Sequence, residues 1–192
     1  MSPLAFLARP SRWLHAISAY RGTLSAAPNF AYELCASRID DDELEGLDLG
    51  SWRLALNGAD PVLPETIDRF VARFAACGLR PEAMMPVYGL AECSVGLAFP
   101  PPGRGTRIDV VDRDVFSRER RAQAARSDDA HPLRFVCCGS AIPGHALRVV
   151  DERGVDRLLS SRFTVGADAS VAAGPVGRQA SAQTDATMMA EM

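Results

Sequence analysis

The chain has 192 residues, 47% of them hydrophobic and 23% charged, with a formal net charge of -3. That length suits one large domain or a share of a bigger one, and the composition is that of an ordinary globular protein. The charge gives no electrostatic reason to expect nucleic acid as a partner, and no apolar stretch approaches the roughly 20 residues that span a bilayer.

At the N-terminus a short apolar run, Leu4 to Ala8, has no basic residue ahead of it, and Arg9 follows it. That order is wrong for a secretory signal, so a cytoplasmic location is expected. Ser11 to Tyr20 reads as a helix with Pro10 at its entrance, Trp13, Ile17 and Tyr20 on one face, and Gly22 as its stop. A second short helix opens at Pro28-Asn29 and carries Phe30, Leu34 and Cys35, with Asn29 as N-cap. The acidic run Asp40-Asp41-Asp42-Glu43 reads as a solvated loop or a helix start.

Trp52 to Leu56 reads as a strand that stops at Asn57-Gly58. From Glu65 the pattern is helical: Ile67, Phe70, Val71, Phe74 and Ala75 recur at i, i+3, i+4, i+7 and i+8, and Gly78 and Pro81 end the run. A strand at Met84 to Val87 follows. Strand, helix and strand within about 35 residues form a βαβ unit, hence a pair of parallel strands.

After Phe99 the texture changes. Pro100-Pro101-Pro102-Gly103 breaks regular structure, Ile108 to Val111 reads as a strand, and Ser117 to Ala130 as a surface helix or loop. Arg134 to Cys138 and Ala146 to Val150 read as strands joined through Gly139 to Gly144. Beyond Gly154 the chain is rich in Ala, Ser, Thr, Gly and Gln and has no sustained period, so it is expected to be disordered. The five cysteines form no C-x-x-C pair, so neither a disulfide framework nor a zinc site is indicated.

Residues 84–98 hold the richest pattern. The apolar run ends in Pro86-Val87-Tyr88, breaks at Gly89, places Glu92 just past Leu90-Ala91, and resumes. A strand delivering a tyrosine and a carboxylate to its carboxyl end is how open α/β sheets build ligand sites. Taken alone, Tyr88 reads as a half-buried aromatic at a strand end, and Glu92 as a helix-start or surface carboxylate. Joined to Asn57-Gly58-Ala59-Asp60-Pro61 upstream, the run Pro81 to Glu92 resembles the fatty-acyl-AMP ligases, a branch of the acyl- and aryl-adenylating enzymes. Ser2 to Pro10, Arg12-Trp13-Leu14 and Ala27 to Tyr32 are also similar to that branch.

The resemblance implies an α/β fold, part of an adenylating-enzyme N-terminal domain, with a parallel βαβ subdomain followed by part of a small β subdomain. Its implied boundaries are 1–105 for the α/β subdomain, 106–154 for the partial β subdomain, and 155–192 for a disordered tail outside the family. The implied reaction joins ATP and a fatty acid into an acyl-adenylate and pyrophosphate. By that resemblance the loop Asn57 to Pro61 would pack on one face of the adenine, Tyr88 with Gly89, Leu90 and Ala91 would lie on the other, and Glu92 would be the catalytic carboxylate that places Mg²⁺. One glutamate suffices chemically, since Mg²⁺ takes few carboxylates beside phosphate oxygens. Asp60 stands where many relatives carry glutamate. Phe30 is a candidate for the wall of an acyl tunnel. Implied cofactors are ATP or AMP and Mg²⁺; implied partners are a fatty acid or acyl-adenylate and an acyl carrier protein or polyketide synthase.

Relatives also carry a Ser/Thr/Gly-rich phosphate loop ending in lysine, a ribose-binding aspartate, a hinge, and a C-terminal domain with a catalytic lysine. This chain has no lysine at all and no such loop. Losing one preorganised charge-stabilising donor commonly costs about 10²–10³ in rate, so the chain is expected to be inactive alone. The alternative expectation is a non-catalytic module that docks on a companion ligase or polyketide-synthesis protein through exposed strand edges.

Overall fold

A computed structural model describes residues 1–91, 95–119, 121–150, 156–157 and 170–175. They fall into two compact units, one of residues 1–86 with 101–106 and one of residues 87–100 with those from 107 onward.

The first unit opens with α1 (Pro3–Ala8) and α2 (Ser11–Ala19). Three short strands then alternate with helices: β1 (Leu24–Ala27), α3 (Asn29–Arg38), β2 (Leu54–Asn57), α4 (Pro64–Phe74) and β3 (Met84–Pro86). The strands are parallel in the order β1-β2-β3, with Leu24 opposite Leu54 and Ala55 opposite Met84. The sheet thus contains two successive βαβ units, and α3 packs beside α4. Every residue of β3 is buried, which suits an apolar run in a parallel sheet.

α4 forms because Pro64 occupies its first turn, Glu65 suits its positive end, and Ile67, Phe70 and Phe74 fall on one buried face. It tightens into a 3-10 turn over Ala75–Cys77 and stops at Gly78, whose φ of 82° is left-handed. Its buried face joins an aromatic cluster. Trp13 meets Tyr32 and Trp52 edge-on at 5.3 Å each, Tyr32 meets Phe70 at 5.0 Å, and Phe70 meets Phe74 at 4.7 Å. The polar tips of these rings are satisfied: Tyr32 Oη donates to the Leu56 carbonyl at 2.8 Å, and Trp52 Nε1 to that of Leu54 at 3.0 Å.

In the second unit, β4 (Ala98–Phe99), β5 (Ile108–Val111), α5 (Arg113–Glu119), β6 (Leu133–Val136), β7 (Ser140–Ala141) and β8 (His145–Val150) follow in order. Among the described residues of this unit the pairings are antiparallel: β4 with β7, β5 with β6, and β8 between β9 (Asp156–Arg157) and β10 (Ser170–Pro175). Asp112 Oδ1 accepts the Val115 N–H at 2.9 Å and so starts α5. Among the described residues, no helix is long and apolar enough to cross a membrane.

Several local expectations change. Tyr20 is 86% exposed at the end of α2, so the buried face is Trp13, Leu14 and Ile17. Asn29 lies inside α3 and makes no capping bond; its side chain turns toward β2. The acidic run forms a 3-10 turn, Asp41–Leu44, in which Glu43 accepts from Ser11 Oγ at 2.8 Å and Arg9 Nε at 2.7 Å. Those bonds, Ser11 first, hold the Glu43 carboxyl below its usual range. The surface helix lies at Arg113–Glu119, ahead of the expected 117–130. In the C-terminal stretch, where no element was expected, residues 170–175 run antiparallel to β8 with Ser170 opposite Val150, while 151–155, 158–169 and 176–192 lie outside the described residues.

Candidate functional site

The first half of the expected site is the loop after β2. Asn57 ends the strand fully buried, and the Gly58 N–H donates to the Ala27 carbonyl at 3.3 Å, which carries the β1–β2 ladder one residue further. Ala59 is exposed and adopts a φ of 71°. For a residue with a Cβ this left-handed backbone costs about 1–2 kcal/mol, so the loop must be held there by its surroundings.

Asp60 supplies part of that hold. Its Oδ1 accepts the Asn29 N–H at 2.6 Å and its Oδ2 the Phe30 N–H at 3.4 Å. A carboxylate from a distant loop thereby satisfies two donors at the N-terminus of α3, where the helix dipole also favours negative charge. Asn57 Nδ2 donates to Asn29 Oδ1 at 3.2 Å, as does the Leu63 N–H at 3.2 Å. Asn29 Nδ2 continues to Thr66 Oγ1 at 3.3 Å, and Thr66 donates to Glu33 Oε2 at 2.9 Å. The side chains of Asn57 and Asp60 therefore serve the fold. What the loop presents outward is backbone, the Ala59 methyl, and two apolar neighbours, Phe30 at 50% and Leu63 at 40% exposure. Neither the Asn29 hub nor the Asp60 cap was expected, since each joins residues 28 or 31 apart in sequence, and no local signal marks them.

The second half lies in the other unit. Tyr88 is half-buried, its N–H donates to the Ala98 carbonyl at 3.1 Å, and its own carbonyl accepts from Leu97 at 3.0 Å and Ala98 at 2.9 Å. Its ring and Leu90 pack with Leu147 against the fully buried Leu97. Gly89 is required by close approach: a Cβ there would lie 1.5 Å from the Val95 carbonyl oxygen. The chain doubles back at this point, with the Val95 N–H on the Leu90 carbonyl at 3.0 Å and Val95 at a φ of 74°. Ala91 is exposed. Glu92 lies outside the described residues. Of the three non-glycine residues with left-handed φ among the described residues, Ala59 and Val95 fall in the two expected segments. Strained backbone of this kind gathers at ligand sites.

The titrations the fold perturbs sit elsewhere. Burial raises the Tyr32 hydroxyl well above the phenol range and pushes the Cys35 thiol up to about 12, so Cys35 stays a neutral apolar filler at neutral pH. Among the described residues, no group of three or more His, Cys, Asp or Glu could hold a metal ion. A cavity of about 420 Å³ lined by Asp112, Arg126, Asp128 and His131 contains none of the expected site residues.

Comparison with known proteins bears on both segments. The family model of the AMP-binding enzymes matches residues 1–158. A second model, the Las17-binding protein actin regulator, matches residues 142–192. The medium-chain-fatty-acid–[acyl-carrier-protein] ligase of Moorena producens is 40% identical over 152 residues, 79% of this chain and 26% of the relative. A fatty acyl-adenylate ligase from work on E. coli and L. pneumophila superposes with a TM-score of 0.80 at 32% identity, covering 91% of this chain and 30% of that one. The L. pneumophila fatty acyl-adenylate ligase in complex with acyl adenylate and pyrophosphate gives a TM-score of 0.73 at 37% identity, over 79% of this chain and 26% of that one. The chain thus spans about a quarter of the curated ligase's length, 26%. With its parallel β1-β2-β3 sheet and both motif segments inside the matched region, the chain belongs to the AMP-binding enzymes, in their fatty-acyl-AMP ligase branch, and carries a segment of the adenylating domain.

Proposed function

We propose that the chain supplies an adenylate-facing segment of a fatty-acid-activating ligase. In the reaction, a carboxylate oxygen of the fatty acid attacks the α-phosphorus of ATP. A new P–O bond forms as the bond to pyrophosphate breaks, leaving acyl-adenylate. Catalysis of such an in-line displacement is positioning and charge stabilisation. Gly58 and Ala59 offer backbone to the adenine, and Tyr88 offers its ring, since a base gains about 1–3 kcal/mol from an aromatic face. Glu92 offers a hard oxygen to Mg²⁺, which when bound neutralises phosphate charge. Phe30, exposed on the first turn of α3 beside the loop, is a surface for the acyl chain.

The observation that carries this reading is the Asn57–Pro61 loop: it leaves the carboxyl end of the middle parallel strand with Ala59 held left-handed and Asp60 bonded to α3. Loops at that end of an open α/β sheet are where ligands bind. An acyl carrier protein is the proposed acceptor, as in the name of the Moorena relative, and a polyketide synthase its proposed setting. The proposed place is the cytoplasm, where ATP is drawn on. The Moorena relative and one from Teredinibacter turnerae are both fatty-acid ligases, so the docking-module alternative is not carried forward.

Calorimetry with ATP and a non-hydrolysable acyl-adenylate analogue, with and without Mg²⁺, tests it on the 192-residue chain. Saturable binding is expected, weakened about ten-fold or more by Tyr88→Ala. Glu92→Ala should abolish the Mg²⁺ dependence while sparing the analogue. Absence of heat with both ligands, or a Tyr88→Ala chain that binds like the original, would refute the assignment.

A further inference from the structure

Asn29 is shared by every part of the frame around the 57–63 loop. Its Oδ1 takes Asn57 Nδ2 and the Leu63 N–H, its Nδ2 reaches Thr66 Oγ1, and its backbone N–H donates to Asp60 Oδ1. One side chain thereby joins the start of α3, the end of β2, both ends of the loop and the first turn of α4. The cluster is buried: Asn29 is 5% exposed, Asn57 0% and Thr66 1%. Asn57 Oδ1 is buried without a hydrogen-bond partner, so the bond to Asn29 is the one that holds the Asn57 amide.

We propose that Asn29 is the positioning residue that keeps the 57–63 loop preformed for its ligand, with Ala59 in the left-handed region. The inference rests on the adenylate reading for what the loop receives, though not for how the loop is held. The physical reason is accumulation. Truncating Asn29 leaves two donors without acceptors, the Leu63 N–H and the buried Asn57 amide. The Gly58 bond to the Ala27 carbonyl and the Asp60 bonds to α3 then remain, and neither fixes the Leu63 end of the loop. A loop released from a strained conformation relaxes and must be reordered when ligand arrives, which weakens binding.

Hydrogen exchange and AMP calorimetry on the full chain test this together. In Asn29→Ala, exchange in the peptide covering 58–63 is expected to rise about ten-fold and AMP affinity to fall by a similar factor, while β3 exchange is unchanged. Asn29→Gln keeps an amide acceptor and donor without adding charge beside Asp60 and Glu33 and should recover part of both losses; Asn29→Leu keeps the volume without the acceptor and should recover neither. Thr66→Val, which removes the Nδ2 partner and the bond to Glu33 Oε2 but leaves both donors on Asn29 Oδ1 in place, should raise exchange over 58–63 far less than Asn29→Ala does. Should Asn29→Ala unfold, the Gln and Leu pair decides by the same readouts. Recovery by Leu, or unchanged loop exchange in both Ala and Leu variants, overturns the proposal. Exchange needs no nucleotide, so an original chain that takes up no AMP counts against the adenylate reading while the loop measurement still judges Asn29.

Discussion

Phe70→Ala is expected to lower the unfolding free energy of the first unit by about 3–5 kcal/mol, the cost of removing a buried aromatic from a close-packed core. Phe70 is 0% exposed and meets three rings: Tyr32 at 5.0 Å, Trp52 at 6.2 Å and Phe74 at 4.7 Å. The cavity cannot collapse cheaply. Tyr32 is anchored by its hydroxyl on Leu56, and Trp52 by its indole N–H on Leu54, so neither ring can slide inward without breaking a hydrogen bond. The edge-to-face contacts add about 0.5–1.5 kcal/mol per pair beyond the buried area. The chain's 2 tryptophans, Trp13 and Trp52, both lie in this cluster, so their emission during urea unfolding reports the first unit by itself. A loss under about 1 kcal/mol with an unchanged m-value would mean the cluster is not the centre of the core.

Gly139→Ala should disrupt the β4–β7 pairing of the second unit. Gly139 has a φ of 91°, and a Cβ there would lie 2.1 Å from the Phe99 carbonyl carbon, 2.2 Å from its oxygen and 2.2 Å from Pro100 N. All three neighbours are backbone, so no rotamer change relieves the contact. A left-handed non-glycine costs about 1–3 kcal/mol and forced overpacking about as much again, so a combined loss of about 3 kcal/mol or more is expected. Gly144→Ala is the control: its φ of 82° carries the same backbone penalty, but nothing lies within 4 Å of the added methyl. Exchange of the Ile142 amide, which donates to Leu97 at 3.0 Å, should accelerate far more in the first variant than in the second. Equal acceleration would show that backbone conformation, and not the close approach to Phe99, is what Gly139 provides.

The second βαβ unit is legible in the sequence because its helix has a strong period and its ends carry Pro64 and Gly78, residues with distinct backbone preferences. The first is not. β1 is Leu-Ser-Ala-Ala, too short and too small in its side chains to alternate visibly, and it becomes a strand by pairing with β2. α1 was within reach: Ser2 Oγ accepts the Ala5 N–H at 3.2 Å, with Pro3 in the first turn. Which β strands pair in the second unit is a long-range matter that local pattern does not encode, so β6 and β8 could be found but not assigned partners. The tail has neither aromatic anchors nor a clear period, yet residues 170–175 join β8 and 142–192 match a second family model.

In the 57–61 loop the residues are legible in the sequence, and the bonds that hold them are not. Asn57 and Asp60 stand in the expected loop, but hydrogen bonds across 28 and 31 residues of sequence turn their side chains to structural use. No local pattern reveals such bonds. The glycine of Tyr88-Gly89 is explained by geometry, the 1.5 Å approach to Val95, independently of any ligand.

Amide chemical shifts followed while AMP is titrated into the ¹⁵N-labelled chain test the central claim most directly. Saturable movement of Gly58, Ala59 and Asp60 together with Tyr88 to Ala91 is the expected result. Movement confined to residues around Asp112 and His131, or none at all, would contradict it.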